Sequence, residues 1–173
     1  MFLDEFGFSF RELLGRTWAP KGQRPILRRV TNERRALSMG VGLTLSGEIY
    51  TRQFNKAMSS VEVIVVLRHL LRYMPVGFIM VWDRAPIHKS KALTAYLTDH
   101  PEIKVEWLPA HAPELNPEEY CHGNVKQRLR NATPANVQEM RTMLHRGFAR
   151  LRHRSDLRLS FIHAAGLSVR RLW

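Results

Sequence analysis

The feature that most constrains the fold is an uninterrupted apolar run at residues 76–82, bounded by Pro75 and Asp83. A short run of this kind is typical of a strand that is buried on both faces of a parallel sheet. A helix predicted over residues 89–97 and a strand predicted over residues 103–108 follow it. Because a strand, a helix and a strand in this order form a right-handed parallel unit, the sequence predicts an α/β fold.

Three further strands are predicted before this unit. Residues 1–10 have the aromatic density of a strand. Apolar runs at residues 35–45 and 48–54 flank Ser46-Gly47, which is the pattern of a β-hairpin. The expected sheet is therefore mixed, with three antiparallel strands followed by two parallel ones.

Apolar periodicity predicts helices over residues 59–74, 117–130 and 134–153. Ser59 or Ser60 is suited to cap the first of them, since a side-chain oxygen there can accept from a free backbone N–H. Core packing is the expectation for three tryptophans, Trp18, Trp82 and Trp107.

The charge balance indicates a polyanionic partner. The 173 residues carry 27 basic and 15 acidic side chains, a formal net charge of +12. Residues 121–173 hold 11 of the basic and only two of the acidic ones. Arginine, which dominates here, forms forked contacts with phosphate, so nucleic acid is the expected partner. The alternative is a basic tail that only aids solubility.

Cysteine usage and hydropathy bound the compartment. Cys121 is the single cysteine, which excludes an intramolecular disulfide and a cysteine-based zinc site. No run approaches the roughly 20 apolar residues of a membrane span, and no signal-peptide layout is present. We expect a cytoplasmic protein that does not bind membranes.

Three acidic residues occupy positions in or next to apolar elements, where burying a carboxylate is costly unless it has a partner. Asp4 lies in the apolar first strand, Asp83 ends an apolar strand, and Glu119 lies on the first turn of a predicted helix. Ligands gather beyond the carboxyl ends of parallel strands, and converging carboxylates suit a hard cation such as Mg²⁺. The alternative for each residue alone is a surface or capping acid.

Two blocks of sequence strengthen the first interpretation. They read VWDRAPIHKS at residues 81–90 and LPAHAPELNPEEY at residues 108–120, and FLDEFGF at 2–8 and RTWAPKG at 16–22 precede them. Together they resemble the hallmark blocks of the DDE transposases of the mariner-like superfamily, in its bacterial insertion-sequence branch. The resemblance covers nearly the whole chain and keeps the order of the blocks.

The resemblance implies an RNase-H-like fold and one catalytic domain over residues 1–173, with a basic helical part from about residue 134. It places the catalytic, metal-binding acids at Asp4, Asp83 and Glu119. Strand alternation turns Glu5 away from Asp4, and Glu118 lies about 100° from Glu119 on a helix, so one member of each pair at most faces a shared site.

The resemblance further implies two Mg²⁺ ions, for which Mn²⁺ can substitute, and cleavage and strand transfer of DNA by two-metal phosphoryl transfer. Transposon ends and target DNA are the expected partners of a homodimer in a bacterial, nucleoid-associated setting. The helix-turn-helix region that the family uses to recognise its ends is expected outside this chain. A metal nuclease of the same fold and an inactive DNA-binding remnant are the alternatives.

Seven basic or histidine side chains near these acids are candidate DNA contacts: Arg84, His88, Lys89, His111, Lys126, Arg128 and Arg130. For the cations, the alternative is a solvated surface, and for the two histidines it is packing or loop hydrogen bonding. The chain departs from the family in two places. Thirty-five residues separate Asp83 and Glu119 where 34 are common, and residues 120–123, Tyr-Cys-His-Gly, replace a tryptophan-rich segment.

Overall fold

The computed structural model describes residues 1–9, 15–26 and 37–169. Its centre is one mixed sheet in the order β3-β2-β1-β4-β5. Strands β1, β2 and β3 pair antiparallel, whereas β4 pairs parallel with both β1 and β5. The predicted arrangement of three antiparallel and two parallel strands is confirmed. The strands are β1 (Phe2–Phe8), β2 (Leu37–Leu43), β3 (Ile49–Phe54), β4 (Phe78–Trp82) and β5 (Ile103–Trp107).

Five α-helices flank the sheet: α1 (Ser60–Leu71), α2 (Lys91–Asp99), α3 (Pro117–Arg128), α4 (Val137–Arg152) and α5 (Ser155–Ala164). Helices α1 to α4 fall where periodicity predicts them, and Ser59 is the residue that precedes α1 as its N-cap. Helix α5 was not predicted. It is short, and only Ile162 within it is fully buried, so its apolar pattern is weak.

The sheet separates two hydrophobic cores. Alternation along β1 sends Leu3 to the core formed with α1 and α2, and sends Phe6 to the core formed with α3, α4 and α5. Helix α1 approaches β2 closely, because a Cβ on Gly40 would lie 2.5 Å from a methyl carbon of Val66. Both faces of β1 and β2 are therefore covered, which holds the first strand rigidly at the centre of the sheet.

Strand β4 corrects one prediction. It begins at Phe78 instead of residue 76, and only one of its faces is buried. Met80 and Trp82 are fully enclosed, whereas Ile79 is 54% exposed and Val76, before the strand, is 94% exposed. Helices α1 and α2 cover one face of β4, but the helices on the other side of the sheet pack on β1 and β2.

Core packing is confirmed for Trp82 but is wrong for the two other tryptophans. Trp18 is 99% exposed in a loop, and Trp107 on the edge strand β5 is 41% exposed. The predicted start of the second strand at residues 35–36, and residue 10 of the first, lie outside the described residues. In the described part of the chain, no helix has the length and apolarity required to cross a membrane.

Two arginines of the basic C-terminal part anchor the β2–β3 hairpin. Arg152 donates to the carbonyl of Ile49 at 3.0 Å and to the hydroxyl of Thr51 at 2.8 Å. The Arg158 guanidinium donates to the carbonyl of Gly47 in the hairpin turn. This part of the chain is therefore folded onto the sheet and is not a tail.

Candidate active site

The register of the two central parallel strands brings two predicted acids level with each other. Phe2 of β1 pairs with Val81 of β4, and the N–H of Val81 donates to the carbonyl of Met1 at 2.8 Å. Asp4 and Asp83 each lie two residues further along their strands. Because parallel strands advance together, both carboxylates reach the same edge of the sheet.

The Asp4 side chain lies on the α3 side of the sheet. Its Oδ1 accepts from the N–H of Glu5 at 2.8 Å, and its Oδ2 accepts from the Asn116 amide at 3.3 Å. The neighbouring Glu5 carboxylate lies elsewhere, 2.8 Å from the Nε2 of His88. The predicted opposition of Asp4 and Glu5 agrees with these contacts.

The His88 imidazole lies between the carboxylates of Asp83 and Glu5 and contacts both. Its Nδ1 is 2.8 Å from Asp83 Oδ1 and 3.0 Å from the Asp83 carbonyl, and its ring stacks on Trp82 with centroids 3.5 Å apart. Burial alone would lower the pKa of His88, but the hydrogen bond and charge of Glu5, aided by Asp83, raise it overall. A Glu5–His88–Asp83 chain of contacts thus fixes the Asp83 side chain.

This placement corrects the expectation that His88 contacts DNA. The residue is only 3% exposed and both ring nitrogens face carboxylates or a carbonyl of its own chain. A short 3-10 helix at Pro86–Lys89 turns the imidazole inward. The alternative of loop hydrogen bonding describes His88 as the structure places it.

The two acids on the first turn of helix α3, Glu118 and Glu119, differ in their exposure. Asn116 caps the helix by accepting from the N–H of Glu118 at 3.1 Å, and Pro117 occupies the first turn. Glu119 is exposed and lines a cleft, whereas Glu118 is fully buried. Burial, with the charge of Asp4 next in size, raises the pKa of Glu118 well above its ordinary value. Only Glu119 faces the cleft, as the motif predicts.

Asp4, Asp83 and Glu119 line one open cleft of about 570 Å³, which lies at the carboxyl ends of β4 and β5 and beside the first half of β1. Cationic and histidine side chains share its wall, namely Arg84, Lys89 and His111. The Nε of Arg84 donates to the carbonyl of Leu108 at 3.3 Å, which fixes the guanidinium in the wall of the cleft. The cleft therefore combines acidic and basic side chains.

Burial and neighbouring acids both disfavour the ionised form of Asp4. Burial raises the pKa of Asp4 to about 8, with further contributions from the charges of Glu119, Glu5 and, last, Asp83. Such a cluster is relieved by a bound cation, which restores the ionised form. The donor set is thus that of a hard-metal site.

His122 is a further member of this cluster that was not predicted as a site residue. Ligand atoms of Asp4, Glu119 and His122 all lie within 4.8 Å of one another. Its Nδ1 lies 4.0 Å from Asp4 Oδ2 and 4.0 Å from Glu119 Oε2. Its place one turn after Glu119, on the same helix face, was the only indication available from sequence.

The remaining predicted DNA contacts lie outside the cleft. Lys126, Arg128 and Arg130 are exposed on the last turn of α3 and just after it. The Nζ of Lys126 lies 5.1 Å from the centre of the Phe6 ring. These three cations extend the basic surface away from the cleft along α3.

Comparison with known proteins gives the family. The family model described as DDE superfamily endonuclease matches residues 1–141. The chain belongs to the DDE superfamily endonucleases. No match was found among curated protein sequences.

Solved structures with the same fold include transposases. The catalytic domain of Mos1 mariner transposase aligns with a TM-score of 0.59 and 17% identity, over 97% of this chain and 82% of that one. A Mos1 mariner paired end complex with Mn aligns with a TM-score of 0.65 and 19% identity, over 95% and 54%. A Mos1 paired-end complex with the left transposon end aligns with a TM-score of 0.60 and 19% identity, over 95% of this chain and 55% of that one. The RNase-H-like fold is confirmed, and the chain spans about half the length of the longer Mos1 structures that it matches.

Proposed function

We propose that this chain is the catalytic domain of a DDE transposase of the mariner-like group, which cuts DNA at transposon ends and joins the ends to a target. The observation that carries the proposal is the convergence of Asp4, Asp83 and Glu119 in one cleft of an RNase-H-like sheet, which basic side chains also line. Family membership and the likeness to a Mos1 transposase complex with the left transposon end support the same conclusion.

The three carboxylates would hold two divalent cations, Mg²⁺ or Mn²⁺. The fit rests on the donor set itself. Burial and the charges of neighbouring acids raise the pKa of Asp4 to about 8, and a bound cation would offset both effects. Bound cations supply charge stabilisation for the oxygens of an in-line phosphoryl displacement. Carboxylate oxygens are the ligands that such hard cations prefer.

The other residues of the cleft would act on the position of the reacting groups. His88 and Glu5 are positioning residues, since His88 contacts Asp83, Glu5 contacts His88, and neither lines the open cleft. Arg84, Lys89 and His111 line the cleft and are suited to hold phosphates of the bound strand.

DNA would continue over the basic surface of α3, where the exposed side chains of Lys126, Arg128 and Arg130 lie. Synapsis of two transposon ends would require a homodimer. Membership of the bacterial insertion-sequence branch and association with the nucleoid remain part of the proposal, carried by the sequence blocks around Asp83 and Glu119.

The test is an incubation of the purified chain with a labelled oligonucleotide that has an exposed 3′-hydroxyl end, a plasmid target and Mg²⁺ or Mn²⁺. Metal-dependent joining of the oligonucleotide to the plasmid is the expected result. Cutting without joining would favour a metal nuclease, and binding with neither reaction would favour an inactive remnant.

A further inference from the structure

His122 is a buried histidine whose surroundings bring it against the acidic cluster of the cleft. The residue is 4% exposed, and its ring packs tilted against Phe6 with centroids 4.6 Å apart. Its Nδ1 is directed at the carboxylates of Asp4 and Glu119, each at 4.0 Å. That distance exceeds a hydrogen bond, so the nitrogen approaches the acidic cluster without being bonded to it.

The other ring nitrogen of His122, Nε2, faces the buried carboxylate of Glu118. His122 Nε2 lies 2.7 Å from Glu118 Oε2, although the two groups are not aligned for a good hydrogen bond. Neither oxygen of Glu118 has a hydrogen-bond partner in the described part of the chain. A fully buried, unpartnered carboxylate is costly to a fold, so its position against the imidazole calls for a functional explanation.

Histidines that bind metals almost always direct their second ring nitrogen at a carboxylate or a carbonyl, which fixes the orientation of the ring. The same arrangement is present here: the Nε2 of His122 faces Glu118, while its Nδ1 faces Asp4 and Glu119. Neighbouring ligands of one octahedral cation lie about 3 Å apart and opposite ones about 4.2 Å. At 4.0 Å from each carboxylate, the Nδ1 is about 1 Å further away than neighbouring ligands of one cation, so a bound ion would draw the three groups slightly closer together.

We infer that His122 is a nitrogen ligand of the cation held by Asp4 and Glu119, with Glu118 as the residue that positions its ring. The inference rests on the proposed function, because it concerns one of the cations proposed there. An imidazole suits transition metals better than it suits Mg²⁺. This site should therefore favour Mn²⁺ over Mg²⁺ more strongly than a site of carboxylates alone.

The test is pulsed electron paramagnetic resonance of Mn²⁺ bound to the full chain, which detects nitrogen nuclei in direct contact with the ion. The expected result is a histidine nitrogen coupling that changes when the protein is labelled with ¹⁵N-histidine. The coupling should persist in His111→Ala, a histidine that lines the same cleft, and disappear in His122→Phe. The phenylalanine keeps the ring packed on Phe6, and His122→Gln serves as a second variant should the first fail to fold.

Mn²⁺ affinity, measured by calorimetry, should fall by at least about tenfold in His122→Phe, while Mg²⁺ affinity falls less. Bound Mn²⁺ that is lost in Asp4→Asn but shows no histidine coupling in the unmutated chain would overturn the role of His122 and leave the proposed function intact. Absence of any Mn²⁺ binding that depends on Asp4 would overturn both.

Discussion

Asp4→Asn should stabilise the metal-free protein at neutral pH while removing its function. The pKa of Asp4 is about 8 in the folded chain and 3.8 as its ordinary value, because burial and neighbouring acids disfavour the ionised form. The folded state therefore holds a proton that the unfolded state has released between these values. The destabilising contribution of Asp4 is therefore absent below about pH 4 and grows as pH rises towards 8.

The size of the effect follows from this difference in pKa. At pH 7 the gap above the ordinary pKa of 3.8 is about three units, and at about 1.4 kcal/mol per unit the cost is at most about 4.5 kcal/mol. Asparagine cannot ionise, but it loses the weak bond from Asn116, which is a cost of about 1 kcal/mol. A net gain of about 2–3 kcal/mol is expected at pH 7 and almost none at pH 4.

The assay is urea unfolding followed by circular dichroism, in a chelator, from pH 4 to pH 8. Asp99→Asn is the matched control, since Asp99 is an exposed acid at the end of α2, and its effect should stay within about 0.5 kcal/mol. Added Mn²⁺ should stabilise the unmutated chain and have much less effect on Asp4→Asn. An unchanged pH slope in Asp4→Asn, or a loss of stability at pH 7, would refute the reasoning.

Three other predictions concern separate parts of the fold. The pKa of Glu62 is lowered to about 2, first by its bond with Lys56 and then by Ser59, so its contribution is present above its ordinary value of 4.5 and is lost as pH falls towards 2. Glu62→Gln should flatten the acid limb of thermal unfolding between these values, and an unaltered limb would contradict this. Arg128→Ala should weaken DNA binding uniformly across sequences and reduce the slope of log affinity against log salt by about one. An unchanged slope would contradict a phosphate contact by Arg128. Arg152→Ala should destabilise the chain by about 1–3 kcal/mol in urea unfolding because it releases the β2–β3 hairpin, and a value near zero would contradict that anchoring role.

The positions of the acids could be predicted because they depend on local sequence. An apolar run that ends at Asp83 and a capped helix that begins just before Glu119 mark the ends of elements. Alternation along β1 predicted that Asp4 and Glu5 face opposite sides, and the resemblance to the family selected Asp4 from that pair and Glu119 over Glu118; the structure directs Glu5 to His88 and buries Glu118. The carboxylate cleft was therefore accessible to sequence reasoning.

The contacts beneath the acids could not be predicted, because they join residues far apart in the chain. His88 meets Glu5 across 83 positions only after β1 and β4 pair in parallel. The same histidine in an exposed loop would be a plausible DNA contact, and sequence does not reveal that the 3-10 helix turns it inward. His122 reaches Asp4 only because α3 packs on β1.

Helix α5 and the open face of β4 escaped prediction for a different reason. The length and apolarity of residues 76–82 are the same whether one face or two are covered, so Ile79 carries no local mark of its 54% exposure. In α5 the break at residues 153–154 is made by arginine and histidine, neither of which is a strong helix terminator.

In the proposed function, Asp4, Asp83 and Glu119 form the reaction centre and the basic groups hold the DNA. The most direct test measures metal-dependent cleavage and DNA affinity on the same oligonucleotide for Asp83→Ala, with Asp4→Ala, Glu119→Ala and the Asp99→Asn control alongside. Each alanine variant should abolish cleavage and keep salt-sensitive binding, while the control retains both. Equal loss of binding and cleavage in Asp83→Ala, or cleavage that survives this substitution, would contradict this division of roles.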